Sequence, residues 1–419
     1  MRQVSNMKKT TLLFVILDVL VMLAAAACYL PFTREPVENL LRELPEVRQV
    51  IYGGGSGGSG NRQNAGLIFT GDPATMLVPD TSETRITLIM TGDALIHSTV
   101  YQTHKTATGY DFLDIFTYVK PIVQQYDLAY YNQETILGGS ELGLSNYPQF
   151  NSPQEVGDAF IDAGFNIVSL ANNHTLDGRY RYGDKALENS RAYWDKWYES
   201  DGIIATGSWL SWEERNRIVI GEMKGVTYAL LSYTTLDNML HNPKGREYLN
   251  NMWDEEVAAA DVAAYRDKVD LLIVAMHWGV DYIHTPNASQ KHIASYLSSL
   301  GVDIVIGNHA HYIQPIEMVG DTLVLYGLGN FVSSQNESEW ADSLTGCLAS
   351  VDIIKTEVDG QVKISFEHVK GRLIYTQKKN KFKVVPYSEL TSRTARNNEA
   401  AFQKFKSVLQ LYMPEVEVE

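Results

Sequence analysis

Apolar residues between positions 85 and 376 fall into short runs that alternate with helical patterns. Buried strands separated by helices give such a pattern, which predicts the α/β fold class. The helical pattern is clearest at residues 289–300, where apolar side chains share one face and Gly301 ends the helix. The predicted strands are residues 86–90, 167–170, 226–231, 271–276, 304–306 and 323–326.

The longest apolar run lies near the N terminus, at residues 12–30, and is broken only by Asp18. A helix of this length spans a hydrocarbon core of roughly 30 Å, and the basic residues before it keep the N terminus in the cytoplasm. We therefore predict a cytoplasmic tail at residues 1–9 and a transmembrane signal-anchor at residues 10–31. The protein is then a single-pass protein of the cell membrane with an extracellular body.

Cleavage and lipidation are alternatives to an uncleaved anchor. The small residues 24–27 suit a signal-peptidase site, which would release the protein. Cys28 follows a lipobox-like run, although Ala25 stands where that motif has a larger aliphatic residue. All three interpretations place the main body outside the cytoplasm.

Composition divides the remainder of the chain into a stalk, a body and a tail. The Gly/Ser octet at residues 53–60 is typical of a flexible tether, so residues 32–84 are predicted to form a stalk. The alternating pattern assigns residues 85–376 to the body. Residues 377–419 are a predicted C-terminal tail with an amphipathic helix around residues 399–412.

Charge and cysteine content argue against nucleic-acid binding and against a zinc site held by thiolates. The 35 basic residues are outnumbered by 50 acidic ones, and a net charge of −15 disfavours nucleic acid as a partner. The two cysteines, Cys28 and Cys347, are too few for a thiolate zinc site. Any metal ion must therefore be held by His, Asp, Glu and Asn.

Polar residues of metal-binding types follow the predicted strands directly. Sites in open α/β sheets form at the carboxyl ends of the strands, so these residues are expected to converge on one crevice. A single histidine after a strand is more often structural, and a lone Asp or Asn can simply order a turn. The residues are Asp93 and His97, Asn173 and His174, His277, and His309 and His311.

The chemistry of this set suits divalent metals. His, Asp, Glu and Asn side chains are ligands for Zn²⁺, Mn²⁺ or Fe²⁺. Two such ions about 3.5–4 Å apart can share a hydroxide nucleophile and clamp the group that is attacked. The set is large enough for two ions, although the sequence does not determine how many bind.

Six sequence blocks, in order, resemble the CapA family of poly-γ-glutamate capsule synthesis proteins, relatives of the calcineurin-like metallophosphoesterases. Singly, a His-x-His or an Asn-His is a weak signal, but the ordered series spans residues 85–335. The blocks are Gly92-Asp93 with His97, Asn132-Gln133-Glu134, Ala171-Asn172-Asn173-His174 with Asp177-Gly178, His277-Trp278-Gly279-Val280-Asp281-Tyr282, Gly307-Asn308-His309-Ala310-His311 with Gln314-Pro315, and Tyr326-Gly327-Leu328-Gly329-Asn330-Phe331.

This resemblance implies an α/β/β/α sandwich of the metallo-dependent phosphatase type, with two divalent transition ions (Mn, Zn or Fe). Glu134 would replace the bridging aspartate of the phosphoesterases. His174 would be the general acid or would polarise the attacked group. The implied metal ligands are Asp93, His97, Glu134, Asn173, His277, His309 and His311.

The function implied by the resemblance is that of a membrane-anchored, extracytoplasmic metal-dependent hydrolase of amides or phosphoesters. It would act in the synthesis, export or trimming of poly-γ-glutamate or a similar anionic cell-surface polymer. One alternative is a non-catalytic accessory subunit of a membrane polymer synthase or exporter, and Asp18 within the predicted membrane helix fits such a partner. A further alternative is an envelope phosphodiesterase.

Overall fold

Two β-sheets form the centre of the fold in the computed structural model, which describes residues 81–335, 341–391 and 398–419. The strands are β1 (Thr81–Ala94), β2 (Leu128–Asn132), β3 (Ile167–Ser169), β4 (Ile204–Thr206), β5 (Gly221–Met223), β6 (Val226–Thr234), β7 (Leu271–Trp278), β8 (Ile304–His309), β9 (Ile316–Val319), β10 (Thr322–Leu325), β11 (Asn330–Val332), β12 (Thr345–Val358), β13 (Gln361–Gln377), β14 (Lys383–Pro386) and β15 (Glu417–Val418).

Helices connect most of these strands. The α-helices are α1 (Ser98–Thr103), α2 (Lys120–Val123), α3 (Glu155–Ala163), α4 (Arg179–Tyr182), α5 (Lys185–Asp201), α6 (Trp212–Asn216), α7 (Glu255–Tyr265), α8 (Ala288–Ser299) and α9 (Asn398–Leu409). Short 3-10 helices lie at Leu113–Phe116, Ser140–Leu142, Glu247–Leu249, Arg266–Lys268, Ala341–Leu344 and Tyr387–Glu389.

The strand order brings the same ends of the central strands together. Within the described ranges, one sheet has nine strands in the order β14-β13-β12-β1-β2-β3-β4, with β11 paired to β1 and β15 to β13. The other has six strands in the order β5-β6-β7-β8-β10-β9. Neighbours from β1 to β4 are parallel, as are β6, β7, β8 and β10. Each sheet therefore presents a row of carboxyl ends along one edge.

The largest buried cluster lies between the two sheets. It contains Ile86 and Leu88 of β1 together with Leu271 and Ile273 of β7. Side chains two residues apart on a strand point to the same face, so every second residue of these runs enters this layer. The apolar runs thus supply a core that is shared by both sheets.

The intervening side chains pack under helices. Ile89 of β1 lies in a cluster with Phe160 of α3 and Trp194 of α5. On the other sheet, Leu272 of β7 lies in a cluster with Ile293 of α8. Helices therefore cover the outer face of each sheet, and central strands such as β2, β7 and β8 are buried on both sides, as a continuous apolar run requires.

The structure confirms the predicted α/β class, and each predicted strand and the predicted central helix is present. The strands correspond to β1, β3, β6, β7, β8 and β10, and the helix corresponds to α8. A capping box between Asn287 and Gln290 fixes the first turn of α8.

Strands also lie in the segments predicted as stalk and tail. Strand β1 begins at Thr81, within the predicted stalk, and its first residues pair with the end of β12. In the predicted tail, β14 and β15 join the nine-stranded sheet, and α9 places Phe405 and Leu409 in the intersheet core. Both ends of the described chain thus contribute to the folded body.

The predicted cytoplasmic tail, membrane anchor and Gly/Ser octet lie outside the described residues. Within the described ranges, no helix is both long enough and apolar enough to cross a bilayer.

Candidate metal centre

The carboxyl ends of five strands meet at one place, where they bring together polar residues from distant parts of the sequence. Asp93, the second-last residue of β1, is in register with Asn132 at the end of β2 and with Asn330 of β11. In the other sheet, Trp278 of β7 is in register with His309 of β8. The structure thus places the predicted site residues around a common point between the sheets.

One group of donor atoms is formed by Glu134, His277, His309 and Asn173. Nε2 of His277 lies 3.0 Å from Oδ1 of Asn173 and 3.2 Å from Nδ1 of His309. The same Nε2 atom lies 3.9 Å from Oε1 of Glu134. The donor atoms of the two histidines and the glutamate all lie within 4.8 Å of one another, which is close enough to share one ion.

A second group contains Asp93, Glu134 and His311. Nδ1 of His311 lies 3.1 Å from Asp93 Oδ2 and 2.9 Å from Asn330 Oδ1, so it carries a proton towards these acceptors. In the neutral ring Nε2 is then the free donor, and it lies 3.8 Å from Oε1 of Glu134. Glu134 belongs to both groups, so a metal ion in either group would have its carboxylate as a ligand.

Glu134 provides the test of whether a cation fits. Its side chain is fully buried, and neither carboxylate oxygen has a hydrogen-bond partner among the described residues. Burial, reinforced by the charges of Asp93 and Asp281, raises the pKa of Glu134 well above its ordinary value. A buried, unpaired carboxylate is costly, and a cation between it and the histidines would remove that cost. The residues present therefore fit a divalent metal ion with mixed nitrogen and oxygen ligands.

The histidines differ in their preferred charge. Burial lowers the pKa of His277 well below its usual value and lowers the pKa of His309 to about 4. Burial also acts against protonated His311, but the hydrogen bond and charge of Asp93 outweigh it and raise that pKa. His277 and His309 are consequently neutral at physiological pH, the state in which imidazole binds metal.

The backbone around these ligands is held in uncommon conformations. His309 and His311 have φ angles of 91° and 54°, which non-glycine residues rarely adopt and which are found preferentially at functional sites. Gly92, beside Asp93, lies so close to the neighbouring chain that a Cβ atom would be 1.8 Å from the carbonyl oxygen of Gly329. A residue without a Cβ atom is therefore required for this close approach of two backbone segments beside Asp93.

His174 lies next to the ligand groups and is oriented by Asp177. Its Nδ1 atom is 2.7 Å from Oδ2 of Asp177, which also accepts the backbone N–H of Phe150 at 2.6 Å. Burial raises the pKa of Asp177, while the adjacent imidazole opposes that shift. This pairing turns the other ring nitrogen, Nε2, away from Asp177.

His97 lies outside both ligand groups. Its Nδ1 atom lies 3.2 Å from the backbone nitrogen of Ser334, from which it can accept, and 3.3 Å from the carbonyl oxygen of Leu95, to which it can donate in the other tautomer. Burial lowers the pKa of His97 to about 4, which keeps the ring neutral. His97 lines the cleft beside the two groups, and its role as a ligand stays a prediction.

Three residues complete the site without having been assigned a role from the sequence. Asp281 is half-exposed, and its Oδ1 atom lies 3.3 Å from Nε2 of His309. Asn132 donates to Oδ1 of Asp93 at 2.8 Å, and Asn330 holds His311 as described above. All three lie inside the sequence blocks that carry the family resemblance, and this position is the sequence signal that could have identified them.

An open cleft of about 900 Å³ leads to these residues. The residues that line it include the histidines His97, His174 and His311 together with Tyr147, Asn238 and Met239. A substrate in this cleft would reach the candidate ligands and His174 together.

The fold and the site define a class: an α/β protein with a candidate divalent-metal centre between two sheets. Residues 87–335, more than half of the chain, match the family described as bacterial capsule synthesis protein PGA_cap. The chain belongs to this family, which confirms the predicted resemblance.

Two curated relatives and one solved structure are similar to this chain. The PGA biosynthesis protein CapA of Bacillus subtilis is 28% identical over 235 residues, which cover 55% of this chain and 59% of the relative. The capsule biosynthesis protein CapA of Bacillus anthracis is 25% identical over 272 residues, 62% of each chain. The chain thus spans about six tenths of each relative. The calcineurin-like phosphoesterase YfkN of Bacillus subtilis aligns with a TM-score of 0.43 and 12% identity, covering 77% of this chain and 97% of that one.

Proposed function

We propose that the protein is a metal-dependent hydrolase that cleaves an amide or a phosphoester during capsule polymer synthesis. The observation that carries this proposal is the shared position of Glu134, a buried carboxylate without a hydrogen-bond partner among the described residues, between two groups of donor atoms. Structural histidines have no need of such an arrangement, because each would be satisfied by its own hydrogen bonds.

Two ions would be held by this set, with Glu134 between them. Asp93 and His311 would hold one ion, and Asn173, His277 and His309 would hold the other. Bound divalent cations would polarise the scissile carbonyl or phosphoryl group. The protein contributes fixed ligands, because Asn132 and Asn330 hold Asp93 and His311 through hydrogen bonds.

His174 would move the proton. Asp177 accepts the Nδ1 proton of the imidazole and stabilises the ring when it is charged. Nε2 would take up a proton from solvent or from the attacking water and deliver it to the leaving group within the cleft, as a general acid does. The pairing fixes the orientation of the ring in advance, so that this transfer needs no rearrangement of the histidine.

The finer features belong to the same proposal. The fold would be an α/β/β/α sandwich of the metallo-dependent phosphatase type. The predicted anchor at residues 10–31 would hold the body outside the membrane, with poly-γ-glutamate or a similar anionic polymer, or its precursor, as the substrate. The printed names of the two Bacillus relatives, which refer to poly-γ-glutamate and capsule biosynthesis, support this setting.

The test combines metal content with turnover. We expect the wild type, loaded with Mn²⁺, to hold about two ions and to cleave a chromogenic phosphodiester or a γ-glutamyl anilide. His309→Ala/His311→Ala should lose both properties, whereas the exposed His292→Ala should keep them. Absence of metal in a folded, loaded wild type would refute the metal-dependent mechanism. Metal without turnover of either substrate class would favour the accessory subunit instead.

A further inference from the structure

A tight turn at residues 237–240 contacts the candidate centre through the side chain of Asn238. The backbone N–H of Leu240 donates to the carbonyl oxygen of Asp237 at 2.8 Å, and the two central residues, Asn238 and Met239, have φ angles of 49° and 60°. Positive φ at both central positions defines a type I′ turn, in which Asn suits the first position and glycine the second. Met239 therefore stands at the position where glycine would be the unstrained choice.

Asn238 fixes this turn to the site. Its Oδ1 atom accepts from Nδ2 of Asn173 at 3.3 Å. Its own Nδ2 atom lies 3.5 Å from Nδ1 and 3.4 Å from Nε2 of the His174 ring. The turn thus touches a candidate ligand and the candidate general acid at once.

Leu240 anchors the other end of the turn in a small buried cluster with Ile136, Leu176 and Leu187. Met239 is left 82% exposed between these two attachments, where it lines the cleft. Tyr147, which is 71% exposed, also lines the cleft. Both are large side chains that a merely structural turn or loop would have no reason to present there.

We propose that the 237–240 turn is a substrate-recognition element, in which Met239, together with Tyr147, holds an aliphatic segment of the substrate next to the scissile bond. This inference rests on the proposed function, because it assigns a substrate feature to the same centre. Strain at a substrate-binding position is tolerated when the strained side chain makes a contact that glycine cannot make. The substrate class is therefore an ester or amide with methylene groups beside the cleaved bond.

Alkylphosphonates from methyl to hexyl test the inference without turnover, because their C–P bond is not hydrolysed. On the Mn²⁺-loaded full chain, we expect Kd to fall with chain length, by up to about fourfold for each fully buried methylene. Met239→Ala should flatten this dependence and leave the Kd of methylphosphonate unchanged. Met318→Ala, which alters an exposed methionine of β9, serves as the matched control and should behave as the wild type.

Met239→Gly distinguishes an effect on substrate recognition from an effect on the stability of the fold. Because glycine fits the turn, this variant should unfold at a higher temperature than the wild type while losing the chain-length dependence. If Kd depends equally on alkyl chain length in the wild type and in Met239→Ala, the inference is overturned but the proposed metal centre is not. Failure of methylphosphonate to bind the metal-loaded wild type would overturn both the centre and the inference.

Discussion

Oε1 of Glu134 lies 3.9 Å from Nε2 of His277, and both groups are buried. At this distance the two atoms do not form a hydrogen bond, so the carboxylate is left without compensation unless a cation lies between them. The stability of the metal-free protein should reveal this conflict, because burial raises the pKa of Glu134 well above its ordinary 4.5.

The free energy of unfolding of the metal-free protein should depend on pH through Glu134, which is the first prediction. A carboxyl group with a raised pKa in the folded state contributes stability below its ordinary pKa of 4.5, and this is lost as pH rises towards the raised value. Each unit of the shift corresponds to about 1.4 kcal/mol. In metal-free protein, Glu134→Gln should therefore become progressively more stable than the wild type between pH 5 and pH 8, as measured by urea unfolding.

With Mn²⁺ bound, the wild type should be more stable than Glu134→Gln, because the ion binds the carboxylate more strongly than the amide. The control is Glu188→Gln, since Glu188 is an exposed residue of α5 paired with Lys185. A stability difference between Glu134→Gln and the wild type that does not change with pH would contradict the prediction.

The second prediction concerns Asp177, which we regard as a positioning residue. Asp177→Asn preserves an acceptor for the backbone N–H of Phe150 but offers His174 an amide in place of a carboxylate. Turnover should fall by about 10²–10⁴-fold, because the ring loses its preferred tautomer and the charge that stabilises its protonated form.

Metal content should not change in Asp177→Asn, since Asp177 belongs to neither ligand group. Asp162→Asn, at an exposed ion pair with Lys120, controls for the loss of a charge. Unchanged kcat in Asp177→Asn, or a parallel loss of metal, would argue against the positioning role.

The third prediction concerns the close packing beside Asp93. In Gly92→Ala the new Cβ atom would lie 1.8 Å from the carbonyl oxygen of Gly329, and this obstacle is backbone rather than a flexible side chain. We expect a loss of at least about 3 kcal/mol in the free energy of unfolding. Gly109→Ala faces only the end of the Glu155 side chain and should change stability by less than about 0.5 kcal/mol. Similar losses in both variants would contradict the steric argument.

The sequence predicted the strands that are buried on both faces. β7 and β8 are continuous apolar runs, and such runs are visible without tertiary information. Two of the three longest strands, β12 and β13, were not predicted. Half of β13 alternates between exposed and partly buried residues, and the register shifts near Ser350 and Asp352, so the period-2 pattern is interrupted.

The clustering of the candidate ligands could be predicted for a similar reason. Residues that follow buried strands have few possible locations, because the strands fix where their ends lie. The roles of Asp177 and Asn238 could not be predicted, since each depends on where a loop returns to the site. The isolation of the Glu134 carboxylate is likewise a property of packing, and no sequence pattern records which partners a side chain lacks.

The fourth prediction concerns the start of the folded body. Thr81 to Thr84 pair with Val358 to Lys355 in the antiparallel ladder, and Nζ of Lys355 reaches Asp270 of the other sheet at 2.9 Å. A chain that begins at Arg85, the predicted boundary, lacks these pairs and exposes the edge of β12. It should be less stable than a chain that begins at Val78 by an amount on the order of 1–2 kcal/mol, measured by urea unfolding.

Lys355→Met, made in both chains, separates the contribution of the backbone ladder from that of the ion pair between Lys355 and Asp270. If the ladder positions Lys355 for its contact with Asp270, the substitution should cost more in the longer chain, where that contact is ordered. Equal unfolding midpoints for the two chains would show that the first four residues of β1 add nothing to the fold. Because the candidate centre lies at the opposite, carboxyl end of β1, the metal content of both chains should be the same.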